Sequence, residues 1–303
     1  MEPLATARYT FQAMGGPASL QLPAPRSSHT DALARQAIQE VLRIEAKYSR
    51  YRADSVIGRI NAAAGGDPIE CDEETLRLLR FADHLWRSSE GRFDATSGVL
   101  RRAWNFRGGT VPTQSDIDAL LPLVNWQQVH WVAFDNSPIG HVRLAQPGME
   151  LDFGGFGKEY AADRAAHVLR NAGVRHALVE LTGDLVAIGP RPDGTPWQIG
   201  VRHPRKPLAV LATVPLANGA LATSGDYERY IEAQGRRYGH VLDARTGWPV
   251  DHWQSVSIMA PTCLAAGATA TLALLHGRQA QAVLNGQYQR GLFVDQAGEA
   301  RSN

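Results

Sequence analysis

The sequence predicts an α+β protein in which mixed sheets carry flanking helices, and two observations support this class. Segments with helical periodicity are interspersed with segments that show the alternating or β-branched pattern of strands. The 303 residues also contain no solenoid repeat, low-complexity segment or clean linker. A chain of this length can bury a large core, and we expect one domain over residues 1–303.

Apolar spacing and capping residues predict the helices. The three long ones cover residues 31–48, about 73–89 and 158–172. Asp72 is the expected N-cap of the second helix, and Gly91 and Gly173 are expected to end the second and third helices. Ser115 and Asp118 have the spacing of a capping box, which predicts a short helix beginning there.

Alternating segments predict the strands. A strand pair is expected over residues 9–22, with its turn at Gly15 and Gly16. Further strand-like segments are "HALVEL", "WQIGVRH", "LAVLATV" and "SVSIMA".

Composition excludes several classes of function. A net charge of +1 provides no general attraction to nucleic acid or to an acidic membrane surface. No run of about 18 apolar residues occurs, so no membrane span is expected. The N-terminus has neither a signal-peptide pattern nor a lipobox cysteine, which predicts a cytoplasmic protein. Cys71 and Cys263 lie far apart, which favours buried thiols over a disulfide or a metal pair.

Two segments carry candidate chemistry. "LDFGGFGKEYAADRAAHVL" passes from a strand through three glycines into a helix near Lys158. Such a turn presents backbone N–H groups to an anion, although a tight turn without a ligand has the same composition. "HVLDARTGWPV" contains His240 and Asp243 in a stretch that is typical of a hairpin turn.

Six ordered motifs together resemble one family, the ApbE family of FAD:protein FMN transferases. The motifs are "SRYRADSVIGRIN", "GRFDATSGVL", "LDFGGFGKEYAADRAA", "ATSGDYERY", "GHVLDARTGWPV" and "ATATLALLHG". Met14 and Gly15 in addition resemble the start of the family's Met-Gly-Thr. The resemblance extends over nearly the whole chain.

The resemblance implies a T-fold-like architecture with a flavin cleft that holds FAD as the substrate. A divalent metal, usually Mg²⁺, lies on the diphosphate. The family transfers FMN to a Ser or Thr hydroxyl of an acceptor flavoprotein and releases AMP, and some members hydrolyse FAD instead. Many relatives are exported.

The resemblance also implies roles for individual residues. His240 is the expected catalytic histidine, and Lys158 is expected near the FAD. The Gly155 carbonyl and the Thr271 hydroxyl are the expected metal ligands. The remaining flavin-site residues are Met14, Tyr51, Arg92, Phe93 and Asp94.

Four positions depart from the family pattern. Gly267 stands where the family has a metal-binding Asp, four residues before Thr271 and on the same helix face. Because Mg²⁺ prefers carboxylate oxygen, this change predicts a weak metal site. Glu159 and Thr182 replace family glycines, and Gly16 replaces a Thr.

These departures leave alternatives open. Glu159 either replaces the missing ligand or points into solvent from the first turn of its helix, where it favours the dipole. The Thr271 hydroxyl is either a metal ligand or bonded to its own helix backbone. The chain as a whole is either an active transferase or a flavin-binding carrier, scaffold or regulator without that activity.

Overall fold

The computed structural model describes residues 5–133, 139–280 and 290–302. Its helices are α1 (Ser28–Tyr48), α2 (Val56–Ala62), α3 (Glu73–Ser88), α4 (Gln114–Asp118), α5 (Gly157–Asn171) and α6 (Cys263–His276). Short 3₁₀ helices cover Ser97–Arg102, Leu121–Leu123, Trp126–Gln128 and Gly277–Gln279.

The strands form one large sheet and several small ones. They are β1 (Ala7–Ala13), β2 (Gly16–Leu22), β3 (Ile69–Asp72), β4 (Val129–Ala133), β5 (Ile139–Leu144), β6 (Ala177–Leu181), β7 (Asp184–Ile188), β8 (Trp197–His203), β9 (Lys206–Leu216), β10 (Gly219–Gly225), β11 (Tyr230–Ala233), β12 (Arg236–Gly239), β13 (Leu242–Asp243), β14 (Trp248–Pro249), β15 (Trp253–Ala260), β16 (Arg290–Asp295) and β17 (Ala300–Ser302).

Within the described ranges, the large sheet has eight strands in the order β1-β2-β6-β7-β10-β15-β16-β17. A three-stranded sheet has the order β3-β5-β4, and β8-β9, β11-β12 and β13-β14 form separate pairs. The α+β class is confirmed. The sheets are more regular than the mixed sheets expected from the sequence, since each pairing in these ranges is antiparallel.

Different elements pack against the two faces of the large sheet. Helix α5 contacts α1, α6, β6 and β7, and α6 also packs on β10 and β15. A second apolar cluster joins the β8-β9 pair to the sheet, with Trp197 and Ile199 packed against Leu178 and Leu221. Helices α5 and α6 therefore pack against each other, and both contact β7.

Capping residues decide where the helices begin. Ser27 accepts a hydrogen bond from the Thr30 N–H, so α1 begins before the predicted residue 31. Asp72 caps α3 as predicted. The predicted capping box of the short helix was wrong by two residues, because Thr113 and Asp116 form it.

The structure bears on two further predictions, which concern the state of the two cysteines and the presence of membrane-spanning helices. Cys71 and Cys263 are both free and buried, which confirms that they are core thiols and not a disulfide. None of the helices in the described part of the chain has the length and apolar character needed to cross a bilayer. The single domain over 1–303 and the cytoplasmic location stay predictions.

Candidate active site at the N-terminus of helix α5

The glycine turn that precedes α5 is shaped by close packing. A Cβ at Gly155 would lie 2.8 Å from Cε2 of the Phe93 ring, so the backbone approaches this ring at a distance that only glycine permits. Gly154 and Gly155 are exposed, whereas Phe156 next to them is buried. The turn therefore presents backbone to solvent at the positive end of the α5 dipole, which suits an anionic ligand.

Lys158 and Asp184 form the charged pair of the site. Lys158 Nζ lies 2.7 Å from Asp184 Oδ2, and the Asp184 side chain is 2% exposed. The other oxygen, Oδ1, accepts a hydrogen bond of 3.1 Å from the Thr223 N–H on β10. Burial lowers the pKa of Lys158, but the charges of Asp184 and Glu159 outweigh burial and hold this pKa above its ordinary value.

Glu159 is buried, so the prediction that it points into solvent is wrong. It is 6% exposed, and a Cβ at Gly267 would lie 2.5 Å from its Cγ and 2.7 Å from its Oε1. The Glu159 carboxyl group thus occupies the space that a side chain at position 267 would need. Burial first, and the charge of Asp184 second, raise the pKa of Glu159 to about 8.

Thr271 lies on α6, one turn after Gly267. Its Oγ1 is 3.0 Å from the Ser224 Oγ on β10. The Thr271 hydroxyl thus bonds to Ser224 and not to the backbone of its own helix, which was one of the two interpretations from the sequence. The contact brings the "ATSGDYERY" strand and α6 together through two hydroxyl groups.

His240 follows β12 and reaches the same region. Its Nδ1 is buried and has no hydrogen-bond partner among the described residues. Burial, reinforced by the positive charge of Arg229, lowers the pKa of His240 to about 4, against a hydrogen bond to the Arg229 backbone that acts in the opposite direction. The imidazole is therefore neutral at pH 7, and Nδ1 is the nitrogen left free to accept a proton.

Met14 and Tyr51 lie at the surface of this region. Met14 is half-buried and has a φ of 54°, and its N–H donates a hydrogen bond of 2.7 Å to the Glu45 carboxylate. Tyr51 is 76% exposed, with the Arg50 guanidinium 5.0 Å from the centre of its ring. An aromatic ring this exposed is available to stack on a planar ligand.

The three residues from Arg92 to Asp94 have different surroundings. Arg92 Nη1 is buried without a hydrogen-bond partner in the described ranges, and the exposed Glu90 carboxylate lies 3.8 Å from it, so this N–H can still donate to a ligand. Phe93 packs against Phe156 at a centroid distance of 6.2 Å. Asp94 accepts hydrogen bonds from the backbone N–H groups of Thr96, at 2.7 Å, and Trp126, at 2.8 Å. These contacts give Asp94 a structural role, and its flavin contact stays a prediction.

Two acids in this region, Asp184 and Asp226, were not among the site residues expected from the sequence. Asp226 receives two hydrogen bonds from Arg205, of 2.6 and 2.7 Å. A Cβ at Gly239, the residue before His240, would lie 2.9 Å from the Asp226 Cβ. The sequence contained a signal for both residues, because Asp184 follows the glycine turn of "LTGDL" and Asp226 lies inside the "TSGDY" motif.

The fold and this charged centre define a class: an antiparallel α+β protein whose glycine turn, ion-paired lysine and neutral histidine suit a phosphate-bearing ligand. Within that class the chain belongs to the ApbE family, whose family model matches residues 14–293.

Individual relatives are similar over most of the chain. The chain is 35% identical over 247 residues to an FAD:protein FMN transferase of Klebsiella pneumoniae, covering 80% of this chain and 74% of that protein. It is 32% identical over 278 residues to the protein of the same name from Treponema pallidum, covering 85% of this chain and 76% of the relative.

Solved structures agree in fold. The ApbE protein of Thermotoga maritima superposes with a TM-score of 0.86 at 30% identity, covering 98% of this chain and 96% of that chain. The flavinyl transferase ApbE of Pseudomonas stutzeri, in its apo form, gives a TM-score of 0.83 at 29% identity, with 99% and 94% covered.

Proposed function

We propose that this protein is an FAD:protein FMN transferase, which moves FMN from FAD to a Ser or Thr hydroxyl of an acceptor protein and releases AMP. The relatives from Klebsiella pneumoniae and Treponema pallidum have this name. One observation of the structure carries the proposal. The ion pair of Lys158 with the buried Asp184 lies at the α5 glycine turn, and the charge of Lys158 also acts on the neutral His240.

The reaction exchanges one P–O bond for another. The acceptor hydroxyl oxygen attacks the phosphorus of the FMN half of FAD, and the bond from this phosphorus to the AMP phosphate breaks. AMP leaves with the bridging oxygen, and the hydroxyl proton passes to a base. Such a transfer needs neutralisation of the diphosphate charge and in-line placement of the hydroxyl.

His240 is the proposed base, and its neutral state suits this role. Its unpartnered Nδ1 can accept the hydroxyl proton at pH 7, since the imidazole is not already protonated. The positive charges of Arg229 and Lys158 keep the pKa of His240 low in the free protein. A diphosphate bound beside these charges would offset them and raise the basicity of the ring.

Lys158 and the glycine turn are the proposed diphosphate-binding elements. The Lys158 side chain is 26% exposed, so part of it reaches the surface although Asp184 is buried. The α5 dipole adds positive potential at the same point. Met14, Tyr51 and Arg92 are the proposed contacts of the flavin, with Tyr51 exposed for stacking and Arg92 retaining a free donor.

A divalent cation fits the same site. No group of three or more His, Cys, Asp and Glu residues converges in the described ranges, but Mg²⁺ commonly binds through one or two carboxylates and the phosphates of its substrate. Glu159 and Asp184 supply buried carboxylates, and Glu159 Oε2 has no hydrogen-bond partner among the described residues. Thr271 and the Gly155 carbonyl are proposed as further ligands. The cation would neutralise the diphosphate and polarise the phosphoryl oxygen.

Incubation of the purified protein with FAD, Mg²⁺ and a bacterial extract freed of small molecules tests this function. We expect AMP in amounts equal to the flavin that becomes covalently bound to protein, measured by chromatography and in-gel fluorescence. AMP with an equal amount of free FMN would identify an FAD hydrolase. Tight FAD binding with neither product would indicate the flavin-binding protein without transferase activity.

A further inference from the structure

Two buried carboxyl groups, of Asp184 and Glu159, lie close enough to one ammonium group to act on it. Lys158 pairs with Asp184 at 2.7 Å, whereas Oε2 of Glu159 is buried and accepts no hydrogen bond from the described part of the chain. Leaving a carboxylate buried without a partner is costly, so Glu159 retains a proton in the absence of a ligand. A cation bound at Glu159 would take the place of that proton.

The position of Glu159 relative to α6 shows which other groups would lie near such a cation. Glu159 covers the α6 backbone at Gly267, and Thr271 follows one helical turn later on the same face. Thr271 is half-buried, and its hydroxyl oxygen lies 3.0 Å from the Ser224 Oγ. Carboxylate and hydroxyl oxygens thus border one small region, and such hard oxygen donors are the ligands that Mg²⁺ and Mn²⁺ prefer.

We propose that Glu159 is the carboxylate ligand of a divalent cation in this protein and that it takes the place of an acid at position 267. The ligand is carried by α5 instead of α6, and glycine at 267 leaves room for it. This inference rests on the proposed function, because the cation would serve the diphosphate of FAD.

Direct binding of Mn²⁺ to the metal-free protein tests the assignment. Free Mn²⁺ is followed by electron paramagnetic resonance during titration of the parent, Glu159→Gln and Glu180→Gln. Glutamine preserves the shape of Glu159 beside Gly267 but cannot ionise to bind a cation. The control removes a carboxylate that lies in β6 and bonds to Ser19. Removing even an outer partner of a metal ligand costs about 10–100-fold in affinity, so Glu159→Gln should weaken Mn²⁺ binding at least about tenfold.

An exchange of the two positions provides a second test that does not depend on Glu159→Gln. Glu159→Gly should lose Mn²⁺ affinity, and adding Gly267→Asp to it should recover that affinity, because the carboxylate returns from the other helix. Circular dichroism and thermal melting establish that each variant is folded. Retention of full affinity by Glu159→Gln, failure of the exchange to recover binding, or absence of Mn²⁺ binding by the parent would overturn the assignment.

Product analysis on the same samples separates this inference from the proposed function. A parent that transfers FMN while Glu159→Gln keeps its Mn²⁺ affinity would remove Glu159 from the metal site and leave the transferase intact. A parent that binds Mn²⁺ through Glu159 but releases no AMP from FAD would remove the transferase and leave the ligand assignment intact.

Discussion

The side chain of Thr182 fills the space beside Gly16. A Cβ at Gly16 would lie 2.8 Å from Cγ2 and 2.9 Å from Oγ1 of Thr182. Glu159 and Gly267 stand in the same relationship, so the four positions expected to depart from the family pattern form two facing pairs. In each pair a glycine faces a larger side chain that occupies the space its own Cβ would need.

Thr182 is strained in this arrangement, which leads to the first prediction. Its φ is 51°, a region that β-branched residues avoid, and its buried Oγ1 has no hydrogen-bond partner in the described ranges. Gly16→Thr should destabilise the protein by about 1–3 kcal/mol through overpacking. Adding Thr182→Gly should remove most of that loss, measured by urea unfolding. Additive effects of the two substitutions would show that the positions are independent.

The second prediction concerns Gly267→Ala. Helix propensity alone favours Ala by about 1 kcal/mol, but the new Cβ would collide with Glu159. We therefore expect a net loss of unfolding free energy, which Glu159→Gly should relieve. Gly157→Ala on α5 is the control, since its Cβ would lie 3.8 Å from Phe153, an ordinary contact. A stabilised Gly267→Ala protein would contradict the packing described here.

Loss of His240 should remove catalysis and spare binding. A base missing from the transition state costs about 10²–10⁴-fold in rate and little ground-state affinity. His240→Ala should therefore lower the rate of AMP release by that factor, while the dissociation constant of FAD from calorimetry changes only a few-fold. His84→Ala, an exposed histidine on α3, is the control. Normal turnover by His240→Ala would make His240 a structural turn residue.

His240 should also make stability depend on pH. Its pKa is about 4 in the folded protein against 6.5 for the ordinary group, so the unfolded chain binds more protons between these values. Stability contributed by the neutral ring is present above pH 6.5 and is lost as pH falls toward 4. A folded-state pKa that is lower by one than the unfolded-state pKa corresponds to about 1.4 kcal/mol of unfolding free energy.

A substitution without a titrating group provides the comparison. His240→Gln should show a flatter dependence of unfolding free energy on pH between 6.5 and 4, measured by urea unfolding without ligand. Arg229, Lys158 and Asp226 surround the ring in both proteins and contribute equally. Identical slopes for the two proteins would show that His240 titrates normally.

Much of the local structure was predictable because its causes lie close together in the chain. The apolar spacing and the Asp72 cap placed α3, and the glycine turn before Lys158 placed the start of α5 within one residue. The cap of α4 was misplaced because Thr113 and Ser115 both have an acid three residues later. The local sequence offers two equivalent capping boxes there. In the observed helix, which begins from the Thr113 box, Ile117 is buried.

The sequence by itself determined the family, the α+β class and the residue types of the site, since ordered motifs and local periodicity are properties of the chain alone. It could not show whether Glu159 points to solvent or into the protein, because that depends on which residue of α6 faces it. Only the tertiary structure brings Gly267 against Glu159 and Thr182 against Gly16. Contacts between residues so distant in sequence leave no periodic signal in a single chain, so Gly267 and Glu159 look unrelated until the helices pack.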